Sequence, residues 1–238
     1  MKVDILAIGI HPDDVELSCC GTLLQHIARG RSVGLLDLSQ GELGTRGSAA
    51  LRLEEAAASA KIMGAVFREN LGIADGLFQN TTENKLKIVE VIRRCQPTIV
   101  LANALRDRHP DHARAAQMTS EACFLAGLVK IETFHEGQRQ ERWRPQAVYH
   151  YIQDYNLEPD FVVDISDHME QKMDCILAFA SQFYDPKSKD LDSPISGKDF
   201  LEFIRSKNRM FARAAGFTYA EGFNVGRTIG VKDLFDLS

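Results

Sequence analysis

With 238 residues, 45% of them apolar and 26% charged, the chain can build one α/β domain around a sizeable core and is too apolar to be disordered. Its net charge of −5, with no run of Lys and Arg able to track a phosphate backbone, argues against nucleic acid as a partner. No apolar stretch reaches the roughly 18 residues of a membrane span, and Asp4 falls where a signal peptide would continue its apolar core, so the expectation is a cytoplasmic protein without a membrane partner.

Residues 3–10 form a nearly continuous apolar run with β-branched members, which predicts a strand buried on both faces. A helix is expected over 15–29, closed by Gly30. The unit repeats with a strand over 32–38 and an alanine-rich helix over 48–63, for which Ser48 is the N-cap and Gly64 the terminator. A short third strand at 65–69 follows. Helical periodicity over 84–95 ends before Pro97, then a strand over 98–103 and a helix over 111–125 complete a third repeat. This alternation predicts an α/β, Rossmann-like single domain, a mostly parallel sheet with helices on both faces.

Beyond Val129 the pattern loosens into strands at 147–152 and 161–165 and helices at 168–182 and 198–216. The chain therefore reads as a half at 1–127 carrying the motifs described next and a half at 128–238 that completes the sheet and the pocket. The polar, proline-flanked stretch 184–194 reads as a surface loop rather than a lid.

Two clusters carry chemistry: His11-Pro12-Asp13-Asp14 and His109-Pro110-Asp111-His112. Each follows a predicted buried strand and opens a helix. Sites in an open parallel sheet form beyond the carboxyl ends of the strands, so both clusters belong at the same edge. Taken singly, either is also what a helix N-terminus with dipole-favoured acids, or an ordinary loop, looks like; two at equivalent ends of alternating units point to a metal site. Five cysteines without a Cys-x-x-Cys suggest neither disulfides nor a thiolate site, so a metal must sit on His and carboxylate. A catalytic zinc takes three such ligands and leaves a fourth position for water; His11, Asp14 and His112 supply them. Asp13 is then free to act as a base, His109 to stabilise an oxyanion, and Asp111 to orient His109 or His112. His26, His135, His150 and His168 lack such partners and read as structural or surface residues.

These two motifs resemble those of the PIG-L, or LmbE-like, deacetylase superfamily. The loop 41–47, together with Arg52, Glu54 and Glu55, most resembles the branch that removes acetate from N-acetylglucosaminyl malate in bacillithiol biosynthesis. The resemblance implies Zn2+ (with Fe2+ an alternative in the cell) on His11, Asp14 and His112, Asp13 as general base and then acid to the leaving amine, and His109 at the oxyanion. It also implies substrate contacts from Arg52 and Glu42. A malate carboxylate calls for a cation, with Arg46, Arg106 and Arg108 beside the motif loops as candidates. Family analogy implies a homo-oligomer, a trimer or hexamer. The mycothiol branch carries a tyrosine two positions before the second motif, where this chain has Asp107; Tyr184 is the nominated substitute. The competing expectations are a chitobiose-type sugar deacetylase, an amidase for thiol conjugates, and a non-catalytic metal- or sugar-binding domain.

Overall fold

Ile5–Gly9 (β1) is buried along its whole length because a parallel neighbour pairs with it on each side, Val33–Asp37 (β2) and Ile99–Ala102 (β4). The structure, a computed structural model, describes residues 2–184 and 190–237. Phe67–Asn70 (β3) pairs with β2, and Ala147–Tyr151 (β7) continues the parallel set beyond β4. Two antiparallel strands then finish the sheet: Ala220–Val225 (β9) against β7, and Phe161–Asp164 (β8) against β9. The seven-stranded order is β3-β2-β1-β4-β7-β9-β8. A separate hairpin, Phe134–His135 (β5) and Gln138–Arg139 (β6), turns through Glu136 and Gly137, both at positive φ, as a two-residue hairpin turn requires.

Alternate residues of β1 serve opposite faces. Leu6 and Ile8 pack with Thr82–Cys95 (α4) and Pro110–Ala126 (α5), while Ile5 and Ala7 pack with Cys20–Ala28 (α2), Ala49–Met63 (α3) and Met169–Leu177 (α6). Helices thus cover both faces, as the strand-helix alternation predicts. Ser48 caps α3 by accepting from the Leu51 amide, and Gly64 closes it at φ 82°. Among the described residues no helix is long and apolar enough to cross a membrane.

Two expectations are corrected, and one strand is added. The helix expected over 15–29 is two, Asp14–Ser18 (α1) and α2, broken at Cys19. The break arises because the Gly21 and Thr22 amides donate to the Glu221 carboxylate on β9, at 2.9 and 2.7 Å, instead of to upstream carbonyls. The helix expected over 168–182 stops at Leu177, after which the Ser181 amide and hydroxyl turn to Glu55. β9, which the sequence pattern did not reveal, lies between β7 and β8. Its alternation is masked because it buries Glu221 and contains Gly222 and Asn224. Lys198–Arg213 (α7) agrees with its predicted helix, shortened at the C-terminus.

Candidate active site

From β1 the chain connects to β2 on one side, while β4 lies on the other, which makes the carboxyl ends of β1 and β4 the topological switch point of the sheet. His11 lies two residues past β1 and His109 opens α5 after β4. The two strand ends are tied together: the Ile10 amide donates to the Asn103 side chain at 3.0 Å. Asp14 sits at their junction. Its Oδ2 accepts from the His11 amide and from Asn103 Nδ2, both at 2.9 Å, and its Oδ1 accepts from Gln153 Nε2 at 3.0 Å.

Around this carboxylate the three imidazoles converge. Ring centroids are 4.8 Å apart for His11 and His109, 5.5 Å for His11 and His112, and 5.1 Å for His109 and His112. His112 Nε2 lies 3.1 Å from Asp14 Oδ1, and His11 Nδ1 lies 3.7 Å from Asp14 Oδ2. The far nitrogen of each ring is held by a carboxylate: His11 Nε2 by Asp75 at 2.9 Å, His112 Nδ1 by Asp107 at 2.5 Å. That arrangement leaves His11 Nδ1 and His112 Nε2 turned toward Asp14, which is how histidines are oriented for a metal.

The charge balance favours a cation. Burial lowers the His11 pKa, but Asp111, Asp14 and Asp75 outweigh it and hold it well above the ordinary histidine value. Burial likewise opposes protonation of His112, yet Asp14 and Asp107 bring it up to about 9. Asp14 is raised by burial and brought well below the usual carboxylate range by His112 and His11. His109 is lowered by burial, then by the neighbouring imidazoles, and so stands neutral near pH 7. Two imidazoles and one carboxylate, buried and mutually facing, match the donor chemistry of a hard-to-borderline divalent ion. Other donor groupings also lie close. Ligand atoms of His11, His109 and His112 fall within 4.8 Å of one another, as do those of His11, Asp75 and Asp111.

Asp13 is held apart from this cluster. Its Oδ2 accepts from Arg52 Nη2 at 3.1 Å, and Arg52 Nη1 donates to the Gly41 carbonyl at 3.1 Å. Gly41 has φ 65°, and a Cβ there would lie 2.0 Å from Arg52 Nη1, so only glycine lets the loop approach this guanidinium. Arg68 on β3, which carried no signal in the sequence, braces the same turn by donating to the Pro12 carbonyl, to Glu16 at 2.6 Å and to Asp37 at 2.7 Å.

A cavity of about 360 Å³ opens over these groups, within the usual range for a small-molecule site. His11, Asp13, Asp14, Arg52, Arg108, His109 and His112 all line it. Glu42 does not. Its carboxylate accepts from the Asp75 amide at 2.8 Å and so braces the loop that carries Asp75. Asp111 is also off the cavity and does not orient His112; it accepts from the Gly76 amide at 2.9 Å, pairs with Arg114 at 3.0 Å, and lies 3.7 Å from His11 Nε2. The orienting carboxylate on His112 is Asp107, because five residues back along the loop is where the ring's Nδ1 points. Arg108 pairs with Asp154, and Arg106 is exposed off the cavity. Tyr184 is exposed and is not among the lining residues. Of the stretch 184–194, residues 185–189 lie outside the described residues, but Ser193 and Pro194 line the cavity, so this end is more than a surface loop.

Asp107→Asn is expected to weaken retention of a divalent ion about 10–100-fold, because the negative charge behind the His112 ring is lost and the one remaining oxygen must serve both the His112 Nδ1 and the Tyr155 amide, which the two carboxylate oxygens now share between them. Competition of the loaded protein with a chromogenic chelator measures it; unchanged affinity would show that the Asp107–His112 contact does not orient the ring.

The family model described as PIG-L, GlcNAc-PI de-N-acetylase, matches residues 6–123. A diacetylchitobiose deacetylase from Thermococcus kodakarensis is 32% identical over 229 residues, covering 92% of this chain and 81% of that protein. A 4-oxalmesaconate hydratase from Pseudomonas putida is 27% identical over 194 residues, covering 74% of this chain and 73% of its own length. Among solved structures, the conserved protein TT1542 from Thermus thermophilus superposes with a TM-score of 0.84 at 34% identity, covering 97% of this chain and 98% of that one.

Proposed function

This chain belongs to the PIG-L, GlcNAc-PI de-N-acetylase, family, and on that premise we propose that it is a metal-dependent N-deacetylase acting on a small N-acetylglucosamine conjugate. The observation that carries the reading is the division of labour between adjacent acids: Asp14 faces two imidazoles while Asp13 is held separately by Arg52 in the same cavity. His11, Asp14 and His112 would hold the ion, with zinc the metal that their donor chemistry suits. Bound there, a divalent ion would polarise the acetamide carbonyl and make water a better nucleophile near neutral pH.

The chain's own groups supply the rest. Asp13, aimed by Arg52, takes a proton from the attacking water and returns it to the departing amine, so acetate and a free glucosamine nitrogen result. His109, neutral near pH 7 and lining the cavity, donates a hydrogen bond to the developing oxyanion. This assignment favours Nε2 as its donor, since Nδ1 accepts from the Asp111 amide at 3.3 Å as the cap of α5.

For the substrate we propose N-acetylglucosaminyl malate; the motif-loop resemblance described for residues 41–55 supports it. The T. kodakarensis relative favours a second sugar substrate, diacetylchitobiose. The hydratase relative favours addition of water to an unsaturated acid at the same kind of centre. Acetate release separates all three. Zinc-loaded protein is expected to liberate acetate from N-acetylglucosaminyl malate faster than from diacetylchitobiose, and to lose the activity on chelation and regain it with zinc. No acetate from either sugar, with hydration of 4-oxalmesaconate, would overturn the proposal.

A further inference from the structure

The cavity wall opposite in sequence to the two motifs comes from α7, whose residues Phe200, Phe203, Ile204 and Lys207 recur at helical spacing and all line the cavity. Three are apolar, and the fourth is an ammonium. Of the three arginines that line the cavity, Arg52 and Arg108 are engaged by Asp13 and Asp154, and Arg46 is buried on the loop 41–47. Lys207 differs: among the described residues it has no carboxylate within ion-pair distance. Its Nζ donates to the Ile152 carbonyl at 3.2 Å and lies 6.0 Å from the centre of the Phe203 ring and 5.8 Å from that of Phe211. An ammonium has three donors, so two are left for a ligand.

Holding a charge in such a place is unfavourable until an anion arrives. Burial, then Lys172, brings the Lys207 pKa down to about 8, and this is partly offset by Asp107, Asp154 and Glu221. An ordinary surface lysine would not be depressed in this way. A neutral disaccharide leaves the ammonium without a counter-charge; a carboxylate on the aglycone supplies one, as a charge-assisted hydrogen bond in a partly desolvated pocket.

We propose that Lys207 forms the subsite for a carboxylate on the aglycone and thereby makes this enzyme selective for anionic over neutral N-acetylglucosamine conjugates. The inference rests on the deacetylase reading of the site and names its substrate class. Of the cations that the sequence offers for this role, Arg106 is exposed off the cavity, Arg108 is already paired and Arg46 lines the cavity as a buried residue of the loop 41–47; the counter-charge is placed instead on a residue from the half of the chain where motifs are absent.

The test compares kcat/KM for N-acetylglucosaminyl malate and methyl N-acetylglucosaminide in the zinc-loaded wild type, Lys207→Gln and Lys207→Arg. The wild-type ratio is expected to favour the malate conjugate; Lys207→Gln is expected to cut that ratio about tenfold or more, through KM, and Lys207→Arg to keep most of it. The wild-type preference should also fade as pH rises through about 8, because the ammonium is charged below its pKa and neutral above. A ratio unchanged in Lys207→Gln would overturn the subsite. If neither compound is hydrolysed, the deacetylase reading fails by itself; calorimetric binding of the same two compounds to the same three proteins still reads the subsite, which then stands only if Lys207→Gln selectively weakens the malate conjugate.

Discussion

Replacing Asp13 by Asn is expected to lower kcat by about 10²–10⁴-fold while the metal stays bound, the range a positioned general base contributes. The change preserves shape and leaves an oxygen to accept from Arg52 Nη2, now at 3.1 Å from Oδ2, so the turn between β1 and α1 keeps its geometry. It removes only the ability to take a proton. Asp14, the neighbouring acid, is engaged by Asn103, Gln153 and the imidazoles and cannot substitute. Turnover on N-acetylglucosaminyl malate and zinc content per chain are measured together. Loss of turnover with full zinc fits a base; near-wild-type turnover removes Asp13 from that role, and loss of zinc would make it a ligand instead.

The largest effect on stability is expected at Lys172, which does not itself line the cavity. Lys172 and Glu221 are both fully buried, with Nζ 2.6 Å from Oε1. Glu221 also accepts the Gly21 and Thr22 amides that open α2, and Lys172 donates to the Leu17 carbonyl at 3.0 Å. Lys172→Met leaves a carboxylate buried without its counter-ion. Breaking a buried pair from one side costs about 3–5 kcal/mol, a large part of the roughly 5–15 kcal/mol that holds a domain folded. Urea denaturation followed by circular dichroism measures it. A loss below about 1 kcal/mol would mean that the pair is compensated by water or by a shifted proton. Because Glu221 fixes the break between α1 and α2, the same variant is expected to loosen the turn that carries Asp14.

The parallel part of the fold was legible because its signals are local. The apolar run at 3–10, the Ser48 cap and the terminal Gly64 each act within a few residues. So do the two histidine motifs, since each joins a buried strand end to a helix start. The rest of the architecture depends on residues distant along the chain. The break at Cys19 is set by a carboxylate 200 residues away. Gln153, which orients Asp14, is 139 residues from it and has no neighbour that marks it. Asp75 and Asn103 are single polar residues whose meaning comes from what the sheet brings opposite them. Asp107 differs from a tyrosine in the sequence, and only its spacing of five before His112 marks it as a partner of that ring. Lys207 sits on a helix that the sequence predicts, but a helical pattern alone does not tell a cavity wall from a core face.

Anomalous scattering at the zinc absorption edge, from crystals of zinc-loaded protein, tests the central claim most directly. The account predicts one strong peak bonded to His11, Asp14 and His112, with the Asp13 carboxylate outside bonding distance and still facing Arg52. A peak held by His11, Asp75 and Asp111, or one that takes Asp13 as a ligand, would contradict it.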